Sequence, residues 1–157
     1  MSRSRFEPAR DHSEKIPIAS ERSGAVWRYD RAEQIIFVVH PRPVELATRA
    51  DIAAYFDTGI AFWRRFCNGK RVFVVVDYSN LSSNLQEVEF YASQLKRVIE
   101  ECAITVVRYN GNMLQRMTSR MAAIQLHTPS NTYRSREEAL AVVRELKRGT
   151  IQTTSPP

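Results

Sequence analysis

The residues best suited to chemistry lie in a polar loop directly after an apolar run that ends in Asp77. Serines and an asparagine follow in the stretch YSNLSSN, and a second polar stretch, YNGN, follows another apolar run further along the chain. In open α/β sheets ligands collect at the carboxyl ends of the strands, so the two stretches should lie side by side if their strands are neighbours. We predict a partner- or anion-binding site formed by Asp77, Ser79, Ser82, Ser83, Asn84, Asn110, Gly111 and Asn112.

The same residue types also serve as turns and helix caps. Ser82, Ser83 or Asn84 is well suited to cap the N-terminus of one predicted helix. Asn110 or Asn112 is equally suited to cap the next helix. Helix N-termini in turn present free N–H groups that bind anions. Capping and turn duty alone and an anion site are therefore both open at this edge.

Enzymatic interpretations of the loop fail on missing residues. A phospho-acceptor receiver domain needs further acidic residues after the first strand and a lysine near the last, yet the early strands end in RYD and VVHP. A serine–histidine pair between Ser79 and His40 lacks a GxSxG elbow and a paired acid. The stretch NGNMLQRMTS lacks the lysine of a Walker loop. We predict no enzymatic activity, no cofactor and no metal site.

The composition is that of one globular domain. The chain has 157 residues, 43% of them hydrophobic, and a formal net charge of +6. Basic residues are spread along the chain without a reader motif, which does not indicate nucleic-acid binding. We interpret the spread charge as a solvated basic surface, and long-range attraction leaves an acidic partner or an anionic membrane surface open as alternatives. The apolar runs are far shorter than the ~20 residues of a membrane span, and the N-terminus lacks the apolar core of a secretory signal. We expect a cytoplasmic protein in which Cys67 and Cys102 are buried free thiols.

Hydrophobic periodicity predicts one α/β domain over residues 24–149, between a disordered arm (1–23) and a disordered tail (150–157). Strand-like and helical patterns follow the order β-β-α-β-α-β-α-β-α, which implies a mixed sheet with an opening hairpin and β-α-β crossovers. The valine-rich run before Asp77 is expected to be a central strand covered on both faces. In the third helix, the side chains expected to face the core are Met113, Leu114, Met117, Met121 and Ile124.

This order and two short motifs resemble the STAS family, the fold of bacterial anti-sigma factor antagonists and of the cytoplasmic domains of sulfate transporters. The stretch VVDYSNL is similar to the segment that precedes the regulatory loop of the family, and YRSREEALAVV is similar to the start of its last helix. The similarity covers roughly residues 25–147 and is greatest to an uncharacterised bacterial STAS-like subgroup.

The resemblance implies a non-catalytic interaction or regulatory domain that docks a protein partner, such as a regulatory kinase or an anti-sigma-like protein, through the loop after the central strand. It also implies that Ser82 or Ser83, placed at the start of a helix, is phosphorylated to block the partner. The alternative is a small-molecule or lipid binder, because the long first helix is rich in aromatic residues. Part of that helix could instead face a second copy of the chain in a homodimer.

Overall fold

Strands and helices alternate throughout the part of the chain that the computed structural model describes, which comprises residues 18–19, 24–127 and 131–153. The strands in this part are β1 (Ile18–Ala19), β2 (Val26–Asp30), β3 (Ile35–Val39), β4 (Val44–Leu46), β5 (Val72–Asp77), β6 (Leu81–Ser83), β7 (Ala103–Tyr109) and β8 (Thr132–Tyr133). The helices are α1 (Arg49–Phe66), α2 (Val88–Glu101), α3 (Met113–Leu126) and α4 (Arg136–Thr153), with a short 3₁₀ turn at Leu85–Glu87 before α2.

The main sheet is mixed and has the strand order β1-β2-β3-β5-β7-β8. Strands β2 and β3 form the antiparallel hairpin predicted from the sequence, and β3, β5, β7 and β8 are parallel neighbours joined by helical crossovers. The predicted single α/β domain is therefore confirmed. Because β5 and β7 pair in parallel with Asp77 opposite Tyr109, the two polar loops do begin side by side.

Three features of the structure depart from the predicted elements and boundaries: strand β1, the end of the last helix and the pair of strands β4 and β6. Strand β1 lies within the predicted arm and pairs antiparallel with β2, while residues 1–17 and 20–23 lie outside the described residues. The last helix continues past the predicted start of the tail to Thr153, and residues 154–157 again lie outside the described part. Strands β4 and β6 form a small parallel ladder of their own that the periodicity did not indicate, because each has only three residues.

Strand β5 is the centre of the molecule, and its alternating side chains serve two cores. Val72, Val74 and Val76 pack in the larger core under α1, α2 and α3. Phe73 and Val75 pack in the smaller core on the other face, where α4 covers them with Ala139 and Val143. The prediction of a strand buried on both faces is confirmed, since period-two side chains of one apolar run reach both layers.

Helix α3 buries the face opposite to the one predicted. The five apolar side chains expected in the core are exposed, while small and polar side chains face inward. The prediction was wrong because this part of the interior contains a tyrosine hydroxyl and loop carbonyls that need polar partners, so hydrogen bonding outweighs hydrophobic periodicity. The buried residues of α3 are Gln115, Thr118, Ser119, Ala122 and Ala123.

Both cysteines are buried free thiols, as predicted. They end α1 and α2 at the edge of the molecule opposite the polar loops. Burial raises the pKa of Cys67 to about 12 and that of Cys102 to about 11. At neutral pH both therefore remain protonated, and protonated thiols are poor nucleophiles and poor metal ligands.

Helix α1 passes so close to the sheet that a glycine is needed in its interior. A Cβ atom at Gly59 would lie 2.7 Å and 2.8 Å from two ring carbons of the buried Trp27. Gly59→Ala should therefore lower the free energy of unfolding by about 1 kcal/mol, because the clash exceeds the gain in helix propensity. Gly149 lies in α4 with open space around it, so Gly149→Ala should raise the free energy of unfolding by about the same amount. Urea unfolding of both variants followed by circular dichroism measures this contrast, and equal stabilisation by the two changes would refute it.

Candidate functional site

The edge of the sheet formed by the carboxyl ends of β3, β5 and β7 contains the predicted site residues. The Asp77 carboxylate closes the turn after β5, since its Oδ1 accepts a hydrogen bond from the Ser79 backbone N–H at 2.8 Å. The Asn110 side-chain amide approaches the same oxygen at 3.4 Å. Asn110 itself has a left-handed backbone with φ of 59°, a conformation that asparagine tolerates. Asp77, Ser79 and Asn110 are thus brought together, and the hydrogen bonds between them are those of a turn.

Ser82 and Ser83 lie in a strand and not at the start of a helix, which corrects the placement implied by the STAS resemblance. In the β4–β6 ladder Ser82 is paired with Glu45, and Ser83 is paired with Leu46. Segment 44–46 runs extended after Pro43, and its backbone groups take hydrogen-bond partners from 80–84. The Ser82 side chain is exposed, whereas that of Ser83 is half-buried. Their hydroxyls therefore do not cap helix N–H groups.

The caps are supplied by asparagines that the sequence analysis named as candidates. Asn84 accepts a hydrogen bond from the Gln86 N–H at 3.0 Å and so caps the 3₁₀ turn before α2. Asn112 caps α3 by accepting from the Gln115 N–H at 2.8 Å. The Gln115 Oε1 accepts in return from the Asn112 N–H at 2.6 Å, which completes a capping box. Gly111, between the two loop asparagines, packs against Tyr78, which a Cβ atom would approach to 3.3 Å.

Gln115 ties α3 to the Asp77 loop, a role that the sequence analysis missed. Its buried side-chain amide donates to the Tyr78 carbonyl at 2.7 Å and also to the Leu81 carbonyl. The residue is only 8% exposed, so neither carbonyl has ready access to water as a substitute. One side chain thus caps its own helix and holds both ends of the turn that carries Ser79.

His40, at the carboxyl end of β3, holds the same loop from the other side. Its Nδ1 lies 2.8 Å from the Asp77 backbone oxygen and its Nε2 lies 2.9 Å from the Tyr55 hydroxyl. A carbonyl oxygen can only accept, so Nδ1 carries the proton and Nε2 accepts from the tyrosine. Burial lowers the pKa of His40, although the Asp77 carbonyl acts in the opposite direction. The neutral ring therefore connects α1 to the loop through two hydrogen bonds and has a structural role.

A cluster of buried polar side chains also lies in the larger core, around the Tyr78 hydroxyl. The Tyr78 hydroxyl lies 3.1 Å from both the Tyr91 hydroxyl and the Ser119 Oγ. The Arg108 side chain, only 4% exposed, interacts with the hydroxyls of Tyr78 and Tyr91. Burial raises the pKa of Tyr91 well above that of an exposed tyrosine, so its phenol is neutral beside the positive charge of Arg108.

An exposed apolar surface borders the loops on α3, which begins directly after Asn112. We call this surface the α3 stripe. Of the eight large apolar side chains exposed in the described part of the chain, five belong to it. The exposed Arg116 and Arg120 lie one position before stripe residues and so line one side of it. The stripe consists of Met113, Leu114, Met117, Met121 and Ile124, with exposed fractions from 39% to 72%.

The described residues contain neither a metal-binding cluster of side chains nor a membrane-spanning helix. No group of three or more His, Cys, Asp or Glu side chains in the described ranges could hold a metal ion. Among the helices described, none is both long enough and apolar enough to cross a bilayer.

The chain matches no protein-family model and no curated protein. Among solved structures it is similar to part of the one titled "The overall structure of SLC26A9", with 11% sequence identity and a TM-score of 0.49. The superposition covers 77% of this chain and 21% of that protein, so the chain spans about one fifth of its length. A likeness this distant says nothing about function.

Proposed function

We propose that this chain is a non-catalytic, STAS-like interaction domain that binds an acidic amphipathic helix of a partner protein on the α3 stripe. The observation that carries the proposal is the exposure of five large apolar side chains on one helix, whose polar face is turned inward. The stripe from Met113 to Ile124 is roughly 16 Å long at about 1.5 Å per residue, which suits three turns of a partner helix. Methionine adapts its shape to apolar partners and is frequent at such surfaces.

The charge beside the stripe favours an acidic partner over a second copy of the chain. Helix α3 carries Arg116 and Arg120 and has no acidic residue. If two copies packed stripe to stripe, the arginines of each would face arginines or uncharged residues of the other. A helix with carboxylates along one flank would instead pair with them, and the net charge of +6 would accelerate its approach.

The Asp77 loop belongs to the same docking face in this proposal, because α3 and the loop are joined. Gln115 binds two loop carbonyls, and a small cavity between α3 and β6 is lined by Ser83 and Thr118. We assign the phosphorylation switch to the exposed Ser82. A phosphate there would add nearly two negative charges to the loop that Gln115 ties to α3 and would repel an acidic partner. It would act by charge alone, since Ser82 is in β6 and not at a helix N-terminus.

The lipid-binding alternative finds less support in the region where it was expected. The cavity between the sheet and the aromatic helix α1 has a volume of only about 50 Å³. For comparison, an apolar cavity of about 150 Å³ accommodates a benzene molecule. Tyr55, Phe56 and Phe62 are buried in the core, where their rings pack against one another and against Trp27. The aromatic residues of α1 therefore fill the interior and leave no acyl-chain pocket there.

Peptide binding tests the proposal. The probe is a fluorescein-labelled helical peptide with leucines on one face and glutamates on the flanks. The control peptide is identical except that lysines replace the glutamates. Fluorescence anisotropy should show binding of the glutamate peptide only. The double variant Met117→Gln/Met121→Gln should weaken it by about tenfold or more, since two apolar contacts of roughly 1 kcal/mol or more are lost. Ser82→Asp should also weaken binding, whereas Ser82→Asn should not.

Leu146→Gln provides the control, because Leu146 is exposed on α4 at 38%, on the other face of the sheet. It should bind the glutamate peptide as the wild type does. The proposal is wrong if both peptides bind equally or if the double variant binds normally. A wild-type dimer that the double variant dissociates would assign the α3 stripe to a second copy instead, and binding to anionic vesicles that is lost in the double variant would assign it to a membrane surface.

A further inference from the structure

A second cavity, of about 180 Å³, lies between α2, β7 and α3 and differs in character from the one under α1. Its volume exceeds the roughly 150 Å³ that accommodates a benzene ring. One part of its wall is apolar and includes Leu95, Ile99 and Ala123. The other part is polar and includes Arg108, Thr105 and Ser119. The cavity thus has room for a compact organic molecule and two chemically distinct ends.

Arg108 lines this cavity and also the smaller cavity under α1, and it brings a positive charge to this part of the interior. The residue is 4% exposed and its backbone lies in β7, where its N–H donates to the Asn131 carbonyl at 2.8 Å. The contacts of the guanidinium include the hydroxyls of Tyr78 and Tyr91 and the Val106 carbonyl at 3.4 Å. A guanidinium in this setting is held in one orientation before any ligand arrives, and its planar set of donors matches a carboxylate.

Ser119 adds a hydroxyl to the same end of the cavity. Ser119 Oγ is within 3.1 Å of the Tyr78 hydroxyl, and either oxygen can donate. Thr105 is paired with Phe73 in the sheet, so its side chain points to the face that α4 covers, where its Oγ1 accepts from the Asn131 amide at 3.1 Å. The Ser119 hydroxyl and the Arg108 side chain thus share Tyr78 as a partner, whereas the opposite part of the wall is formed by aliphatic side chains.

We propose that this cavity binds a small organic carboxylate with a compact apolar body about the size of one ring. The carboxylate would be held by Arg108 with help from the Ser119 hydroxyl, and the ring would lie against Leu95, Ile99 and Ala123. A single guanidinium and a half-apolar wall favour a monocarboxylate over inorganic phosphate, which needs donors on every side. The cavity lies on the buried face of α3, whereas the α3 stripe lies on its exposed face, so benzoate and the peptide probe two separate sites.

Benzoate is the probe for this site, and benzyl alcohol is its neutral counterpart of similar size. Isothermal titration calorimetry of the wild-type chain should show benzoate binding with a Kd of about 1 mM or tighter, a value reasonable for a ligand of this size. Benzyl alcohol and inorganic phosphate should bind at least about tenfold more weakly. Arg108→Lys should weaken the binding of benzoate by a similar factor, since a lysine offers a point charge without the planar pair of donors.

A second variant keeps the test decisive if the arginine variant does not fold. Ala123→Leu retains Arg108 and fills the apolar end, so it should remain folded and lose benzoate binding. Ala141→Leu, at an exposed position on α4, should bind as the wild type does. The proposal is overturned if the wild type binds no benzoate at about 10 mM, if Ala123→Leu binds it normally, or if phosphate binds as well as benzoate.

Discussion

Gln115→Glu is expected to lower the free energy of unfolding by about 3 kcal/mol at pH 7. The change preserves the shape of the side chain but replaces the amide that donates to the Tyr78 and Leu81 carbonyls. An ionised carboxylate would then face two buried carbonyl oxygens, which lose their donor and repel the new charge. Urea unfolding followed by tryptophan fluorescence measures the loss.

Gln125→Glu is the matched control for this prediction. Gln125 is on the same helix and is exposed, so the same change of charge should alter stability by no more than about 0.5 kcal/mol. The deficit of Gln115→Glu should also become smaller at about pH 4.5, because the variant carboxyl, once protonated, again offers one donor. Equal stability of the two variants would show that Gln115 does not hold the loop.

Acidification through the range below pH 6.5 is expected to destabilise the protein through His40. Burial lowers the pKa of His40 in the folded state below its ordinary value of 6.5. As the pH falls past 6.5, the unfolded chain binds a proton at this position and the folded chain does not, so the folded state loses stability. The loss approaches about 1.4 kcal/mol per pH unit and ends where the folded ring is protonated as well.

Unfolding measurements at a series of pH values from about 7 to 5.5 test this linkage while most carboxylates remain ionised. In His40→Gln, the side-chain amide can still donate to Asp77 and accept from Tyr55, and it does not titrate. Its stability should vary less with pH than that of the wild type. His127→Asn, at an exposed left-handed position, should retain the wild-type slope. If His40→Gln keeps the full slope, the pH dependence has another origin.

Local patterns were sufficient for the parts of this structure that depend on nearby residues. The unbroken apolar run of β5 and the spacing of the hairpin strands predicted the mixed sheet, because strand burial is encoded in side-chain alternation. Asn110 or Asn112 was predicted to cap α3, and Asn112 caps the helix through the N–H of Gln115, three residues away. Parallel pairing then placed Asp77 beside Asn110, as expected for carboxyl ends at one edge of a sheet.

The tertiary structure decided what depends on partners distant in the chain. Helix α3 turns its apolar stripe outward because Gln115 and Ser119 find buried partners 34 to 41 residues away, in the Asp77 loop. Ser82 became part of a strand because β4, 38 residues earlier, offers backbone groups that need partners. Periodicity reports only which side chains share a face. Which face is buried was settled by the cost of leaving polar groups unsatisfied in the interior, and that cost exists only once the distant segments have met.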